Sequence, residues 1–327
     1  MSKKILITGG AGYVGSHLVP ILLSKGHKVT VIDLFIYGND VLDEHENLKC
    51  IKGDIRDTEL LKKTINGNDI VIHLACISND PSFELNPLLG KSINLDAFDP
   101  LVKISKSSGV EKFIYASSSS VYGVKDVIDV DETMSLEPLT DYSKFKAECE
   151  DILKSYSSND FITTTIRPAT VCGYSRRQRL DVVVNIFTNL AYHKREISVF
   201  GGNQLRPNIH INDMSRAYLK VIESENNLVN DQIFNVGDTN YSVLELANMT
   251  KEVIGDDVNL VLSESNDNRS YHISSKKIND ILGFKTENTI KDAIFDVQSA
   301  IIHKRLINSL SNPIYFNIKT MQNINLI

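Results

Sequence analysis

The sequence predicts an α/β protein, a doubly wound parallel sheet that carries a smaller second α/β lobe. Three observations point there. Short apolar, β-branched runs alternate with longer amphipathic stretches through the first half; a glycine trio follows the first run directly; and the rhythm changes after Pro168. The runs place strands at 4–8, 28–33, 48–52, 69–74, 112–116 and 162–167. Most are continuously hydrophobic, as strands covered on both faces are. Amphipathic stretches between them place helices at 14–25, 58–65, 87–107 and 142–157, and this alternation implies right-handed crossovers.

Beyond Pro168, an Arg- and Gly-rich loop at 173–180 leads to a helix at 181–193 and a strand at 197–200. A strand at 233–236 precedes a helix at 243–254, with Ser242 as N-cap and Glu245 three residues on completing a capping box. A strand at 258–262, a polar loop to Tyr271 and a helix at 290–302 follow. These elements divide the chain into residues 1–172 with about 207–240 as the larger unit and about 173–206 with 241–305 as the smaller. Residues 306–327, with asparagines at intervals and no clear period, read as a loosely packed tail.

The chain has 327 residues, 42% of them hydrophobic, enough for a core without disulfides or metals. Lys and Arg total 35 against 41 Asp and Glu, and no basic block occurs. That balance argues against nucleic acid or a membrane surface as the main partner. The first apolar run, Ile5-Leu6-Ile7, is too short for a signal peptide, and no stretch approaches the ~18 apolar residues of a membrane span. A cytoplasmic protein is expected. Cys50, Cys76, Cys149 and Cys172 are scattered without C-x-x-C spacing, so buried thiols are expected and no metal site.

Gly9-Gly10-Ala11-Gly12-Tyr13-Val14-Gly15 lies between the first strand and the first helix. Gly9, Gly12 and Gly15 permit a tight turn, close approach of backbone to a pyrophosphate and close packing of helix on sheet. The helix N-terminus adds amides and a positive dipole end. Asp33 ends the second strand, where a carboxylate accepts from both ribose hydroxyls of an adenosine and repels a 2′-phosphate. No Arg occurs in 34–37, so the cofactor expected is NAD rather than NADP. Asp54 closes the third strand, where it meets an adenine edge or N-caps the next helix. His73 ends the fourth and reads as a structural histidine.

A second constellation is Ser117-Ser118-Ser119-Ser120-Val121-Tyr122-Gly123 after the fifth strand, followed by Tyr142-x-x-x-Lys146 on a helix. Tyr and Lys at i, i+4 share one helical face. A nearby ammonium lowers the phenol pKa from ~10 and makes Tyr142 a usable base. Tyr315 and Lys319 repeat the spacing in the tail, and that copy reads as accidental.

Together these motifs and Arg167-Pro168 resemble an extended short-chain dehydrogenase/reductase with a Rossmann domain. The resemblance is to the NAD-dependent nucleotide-sugar epimerase/dehydratases, over about residues 3–303. It implies catalytic roles for Ser118, Tyr142 and Lys146. It implies cofactor contacts by Gly9, Gly12, Tyr13, Val14, Gly15, Asp33, Asp54, Ile55, Leu74 and Ala75, with Tyr142 and Lys146 joining them. Gln204-Leu205-Arg206-Pro207-Asn208-Ile209-His210 is similar to the segment whose Arg meets the substrate diphosphate, which assigns Arg206. The run before Ser274-x-x-Lys277 assigns Arg269 in the same way. Ser118, Ser119, Arg179 and Asn185 complete the implied substrate contacts, though Arg176, Arg177 and Arg179 read equally well as solvated surface charges. A homodimer is implied through the helices at 87–107 and 142–157.

Two departures bear on the reaction. Thr170 stands where many relatives have Asn. Ser119 and Ser120 stand where 4,6-dehydratases carry Asp-Glu, and hydroxyls do not perform that proton transfer at neutral pH; the Glu of decarboxylating relatives is missing too. The implied activity is a nucleotide-sugar epimerase, at C4 through a 4-keto sugar. A 4-dehydrogenase or 4-ketoreductase is the alternative, and a non-catalytic NAD-binding protein of this fold is a third reading.

Overall fold

The computed structural model of the chain describes residues 2–78, 80–127, 129–264, 270 and 272–324. Its strands are β1 (Lys4–Thr8), β2 (Lys28–Asp33), β3 (Leu48–Lys52), β4 (Ile70–His73), β5 (Lys112–Ala116), β6 (Ile162–Pro168), β7 (Thr170–Cys172), β8 (Glu196–Phe200), β9 (Leu205–His210), β10 (Gln232–Val236), β11 (Asn240–Ser242) and β12 (Asn259–Ser263). Seven of them form one parallel sheet in the order β10-β6-β5-β4-β1-β2-β3. The fold is Rossmann-like. The chain builds outward from β1 to β3, then crosses back to β4 and builds the other way. The switch point therefore lies between β1 and β4, at whose carboxyl ends ligands bind in such sheets.

Alternation along β1 explains why its central residues are all apolar. Ile5 and Ile7 face helices Gly15–Ser24 and Ile211–Glu223, joining Leu18, Leu22, Met214 and Tyr218 in one core cluster. Leu6 faces the other way, into a cluster with Leu61, Phe98, Leu101, Phe113 and Leu153 from helices Thr58–Ile65, Phe98–Ser107 and Asp141–Tyr156 and from β5. Each such side chain contributes roughly 1.5–3 kcal/mol by leaving water. A third cluster unites helices Val183–Lys194, Val243–Ile254 and Ile290–Ile302 beside the β8–β12 pair. Capping boxes open two of these helices, at Ser242 with Glu245 and at Thr289 with Asp292.

Three expectations are corrected. The helix expected over 87–107 is interrupted: Pro87–Lys91 runs into a π turn at Ser92–Asp96, and Phe98–Ser107 follows. Pro100 lacks an N–H, and its ring conflicts with the carbonyl four residues back, so the regular ladder cannot pass through it. The tail is not loose. Leu180 N donates to the Tyr315 carbonyl at 2.9 Å, and a helix at Asn317–Asn323 buries Asn317. The thiols are not uniformly buried either, since Cys50 is exposed and Cys76 partly so.

Candidate active site

A cavity of about 560 Å³ opens at the carboxyl edge between β1 and β4. Gly9, Gly12, Tyr13, Val14 and Gly15 form its floor. Gly9 has φ +75°, and a Cβ there would stand 2.5 Å from the Ala75 amide nitrogen. One on Gly15 would stand 2.5 Å from the Gly10 carbonyl. Among the described residues, no side chain caps the helix Gly15–Ser24, which leaves its first-turn dipole to a ligand. Leu74 and Ala75 line the cavity beside Gly9. An uncapped helix end and a glycine turn packed too closely on Ala75 and on its own backbone to admit side chains suit a dinucleotide diphosphate.

Asp33 accepts from the Ala11 amide at 3.0 Å and the Phe35 amide at 2.8 Å while facing the cavity. Burial pushes its carboxyl pKa up, and the Phe35 and Ala11 amides pull it back. Asp54 and Ile55 lie further along the same edge. Asp54 is not an N-cap: that role belongs to Asp57, which accepts from Glu59 and Leu60. Instead Asp54 pairs with the Arg56 guanidinium at 2.6 Å. Burial raises the Asp54 pKa, but the hydrogen bonds from Arg56 outweigh it and the net shift is downward.

At the other end stand Ser118, Ser119, Tyr142 and Lys146. The Thr140 side chain caps the helix Asp141–Tyr156, setting the register that brings Tyr142 and Lys146 to the cavity. Lys146 is buried. Its Nζ donates to the Ala116 carbonyl at 2.6 Å and lies 5.9 Å from the Tyr142 ring centre. The expected lowering of the Tyr142 pKa by Lys146 is corrected here. Burial, with Cys76 and Asp80 nearby, pushes the phenol above 10, while Arg179 and a hydrogen bond with Ser118 pull the other way. The ammonium is held by a carbonyl rather than by the phenol.

Behind the site runs a buried network that gives the Arg167 and Tyr122 motifs a structural task. Arg167 pairs with Glu150 through Nη2 at 2.6 Å and donates to the Tyr122 hydroxyl at 2.6 Å; Tyr122 donates to Asn235 at 2.8 Å. Ser117 donates to the same Glu150, so the serine strand end is fixed to the helix that carries Tyr142. His73 is structural: its Nδ1 lies 2.6 Å from the Thr8 hydroxyl, and its ring stacks with Tyr115 at 5.8 Å.

Arg206 and Arg179 also line the cavity. Arg179 donates from Nε to Asp181 at 2.9 Å, which holds its pKa up against burial. Asn185 does not line the cavity, and its expected substrate contact is corrected. It accepts from the Gly173 amide at 2.9 Å and donates to the Arg179 carbonyl at 2.8 Å, tying the 173–180 loop to a helix. Arg269 lies outside the described residues. The sequence reading missed Tyr37, Cys76, Asp80, Asn317 and Met321, which line the same cavity. None stands in a spacing pattern that would mark it.

The chain matches the NAD dependent epimerase/dehydratase family over residues 5–237. It belongs to that family. Within the wider extended short-chain dehydrogenase/reductases, this makes it an NAD-dependent enzyme. It is 28% identical to the UDP-glucose 4-epimerase of Corynebacterium glutamicum over 88% of this chain and 92% of that one. Identity to the dTDP-D-glucose 4,6-dehydratase of Bos taurus is 30%, over 77% of this chain and 72% of that one. Its fold superposes with a TM-score of 0.84, at 26% identity, on the crystal structure of the Thermotoga maritima UDP-glucose 4-epimerase with UDP-glucose, covering 92% of this chain and 99% of that one. Among the described residues, no helix of this family member is long and apolar enough to cross a membrane.

Proposed function

We propose that the chain is a nucleotide-sugar 4-epimerase. The observation that carries the reading is the convergence of Ser118, Tyr142 and Lys146 on the cavity that the glycine loop and Asp33 enter from the other end. Deprotonated Tyr142 Oη would take the proton of the sugar 4-hydroxyl, the positive charge of an oxidised nicotinamide offsetting the burial that raises the phenol, and Ser118 Oγ would hold the same oxygen. NAD held along the glycine loop, Asp33 and Lys146 would supply the acceptor for the C4 hydride and the source of its return. The 4-keto sugar turns over between these two events, and Tyr142 gives its proton back to the oxygen. Arg206 and Arg179 hold the diphosphate, the first-choice partner for planar guanidinium forks. Ser119 and Ser120 disfavour the dehydratase reading, because neither side chain serves as acid or base for loss of water. The relatives make UDP-glucose the first substrate to try. A screen of UDP-, GDP-, CDP- and dTDP-hexoses without added cofactor tests the proposal. A C4 epimer is expected from one of them. A product formed only when NAD or NADH is supplied in stoichiometric amount would instead establish a 4-dehydrogenase or 4-ketoreductase.

A further inference from the structure

Arg177 is a buried cation that, among the described residues, pairs directly with no carboxylate. It is 3% exposed, and its Cζ sits 3.5 Å above the centre of the Tyr37 ring. Nη2 donates to the side chain of Asn317. Among the described residues, Nε and Nη1 have no hydrogen-bond partner and the guanidinium makes no ion pair. Asp181, whose charge favours the cation, is already bonded to Arg179 and to the Asn317 amide at 2.8 Å. Burial lowers the Arg177 pKa to about 10, so the group stays charged at neutral pH. A buried, unpaired guanidinium is costly unless an anion completes it.

Its surroundings indicate which anion. The Arg177 amide donates at 3.1 Å to Ser16, in the first turn of the helix behind the glycine loop. Ser175 Oγ donates to the Tyr13 carbonyl at 2.9 Å, so the 173–180 loop is stapled to that helix start. Arg177, Tyr37 and Asn317 all line the cavity. The Arg177 charge is felt by Asp33 at the ribose end, and the neighbouring Arg179 charge by Tyr142 at the reacting end. A dinucleotide reaching from one end to the other would carry its diphosphate between them.

We propose that Arg177 binds the diphosphate of the dinucleotide and that the C-terminal helix positions it through Asn317. Asn317 is well placed for this. It is 1% exposed, and its Nδ2 donates to Ser78 at 2.7 Å on the wall after β4, while Oδ1 takes the Arg177 hydrogen. One residue thus ties the chain terminus, the cavity wall and the guanidinium together. The inference deepens the NAD site and rests on NAD as cofactor.

Titration calorimetry on the full chain, stripped of nucleotide, separates the possibilities with three probes: NAD, adenosine and UDP. Arg177→Met should weaken NAD about ten- to a hundredfold, the range for hydrogen bonds to a charged group, and leave adenosine and UDP within about twofold. Asn317→Ala should give the same pattern, with a smaller loss. Raising salt should weaken NAD binding to the wild type but scarcely alter adenosine, which lacks the charged diphosphate. If Arg177→Met does not fold, Asn317→Ala and the salt series carry the test. Unchanged NAD affinity in the variants overturns the proposal. So does an equal loss for adenosine, which marks collapse of the pocket, or a loss confined to UDP, which assigns the residue to the substrate diphosphate. Wild-type protein that bound no NAD at all would contradict the cofactor itself rather than this residue.

Discussion

Acid should destabilise this protein through His73. The ring is buried between Phe98, at 5.4 Å, and Tyr115, at 5.8 Å, with Nδ1 2.6 Å from the Thr8 hydroxyl. Burial, with the Lys146 charge added, lowers its pKa from 6.5 to about 3. Because the folded value lies below the unfolded one, the unfolded chain takes the proton first. The stability at stake is complete above about pH 6.5 and is lost as pH falls toward 3. At about 1.4 kcal/mol per pH unit, His73 should account for about 3 kcal/mol of loss between neutrality and pH 4.5. Urea unfolding followed by far-UV circular dichroism at both pH values measures this, with His73→Phe as the control. The phenyl ring keeps the aromatic packing and does not titrate, so the variant should lose about 3 kcal/mol less than the wild type over that interval. Carboxylates contribute equally to both chains and cancel. Equal losses would refute the assignment of a neutral, buried imidazole at the end of β4.

Tyr142→Phe should lower turnover by ~10²–10⁴ with NAD affinity little changed, and Ser118→Ala should lower it less; steady-state kinetics on the identified substrate checks both. Tyr315→Phe, whose hydroxyl accepts from the Ile307 amide in the tail, should leave turnover intact. Because Asp33 faces the cavity, NAD should bind far more tightly than NADP, and equal calorimetric affinities would contradict its placement at the ribose. Light scattering at micromolar concentration should give the mass of two chains, the commonest closed assembly. The 82% exposure of Leu88 fits that expectation, and a one-chain mass would refute it.

Strands β1, β4 and β5 were legible because each is an apolar run buried on both faces, whereas the edge strand β3 is largely exposed; the helix Val243–Ile254 was legible because Ser242 and Glu245 announce its start. The helix Ile211–Glu223 was not. Its N-cap is His210, whose Nδ1 accepts from the Asn212 amide at 3.0 Å, and no Ser, Thr, Asp or Asn stands at that position to announce it. The cavity residues with rigid spacing, from Gly9 to Gly15 and from Tyr142 to Lys146, could be read from local pattern. Arg177 and Asn317 could not, because 140 residues of chain separate them and only the fold joins them. Asn185 was misread for a similar reason: its Oδ1 and Nδ2 bind the backbone of a distant loop. The raised Tyr142 pKa depends on burial and on Cys76 and Asp80, none of which i, i+4 spacing reveals.

The most direct test of the catalytic account is the fate of the hydrogen on C4. UDP-glucose deuterated at C4 is incubated with the enzyme and its bound NAD, without further cofactor, and the products are followed by NMR. The account predicts the C4 epimer with deuterium retained at C4, because the same hydrogen leaves and returns within one cavity. Product that appears only with external NAD, with the deuterium carried away on the cofactor, would contradict epimerisation.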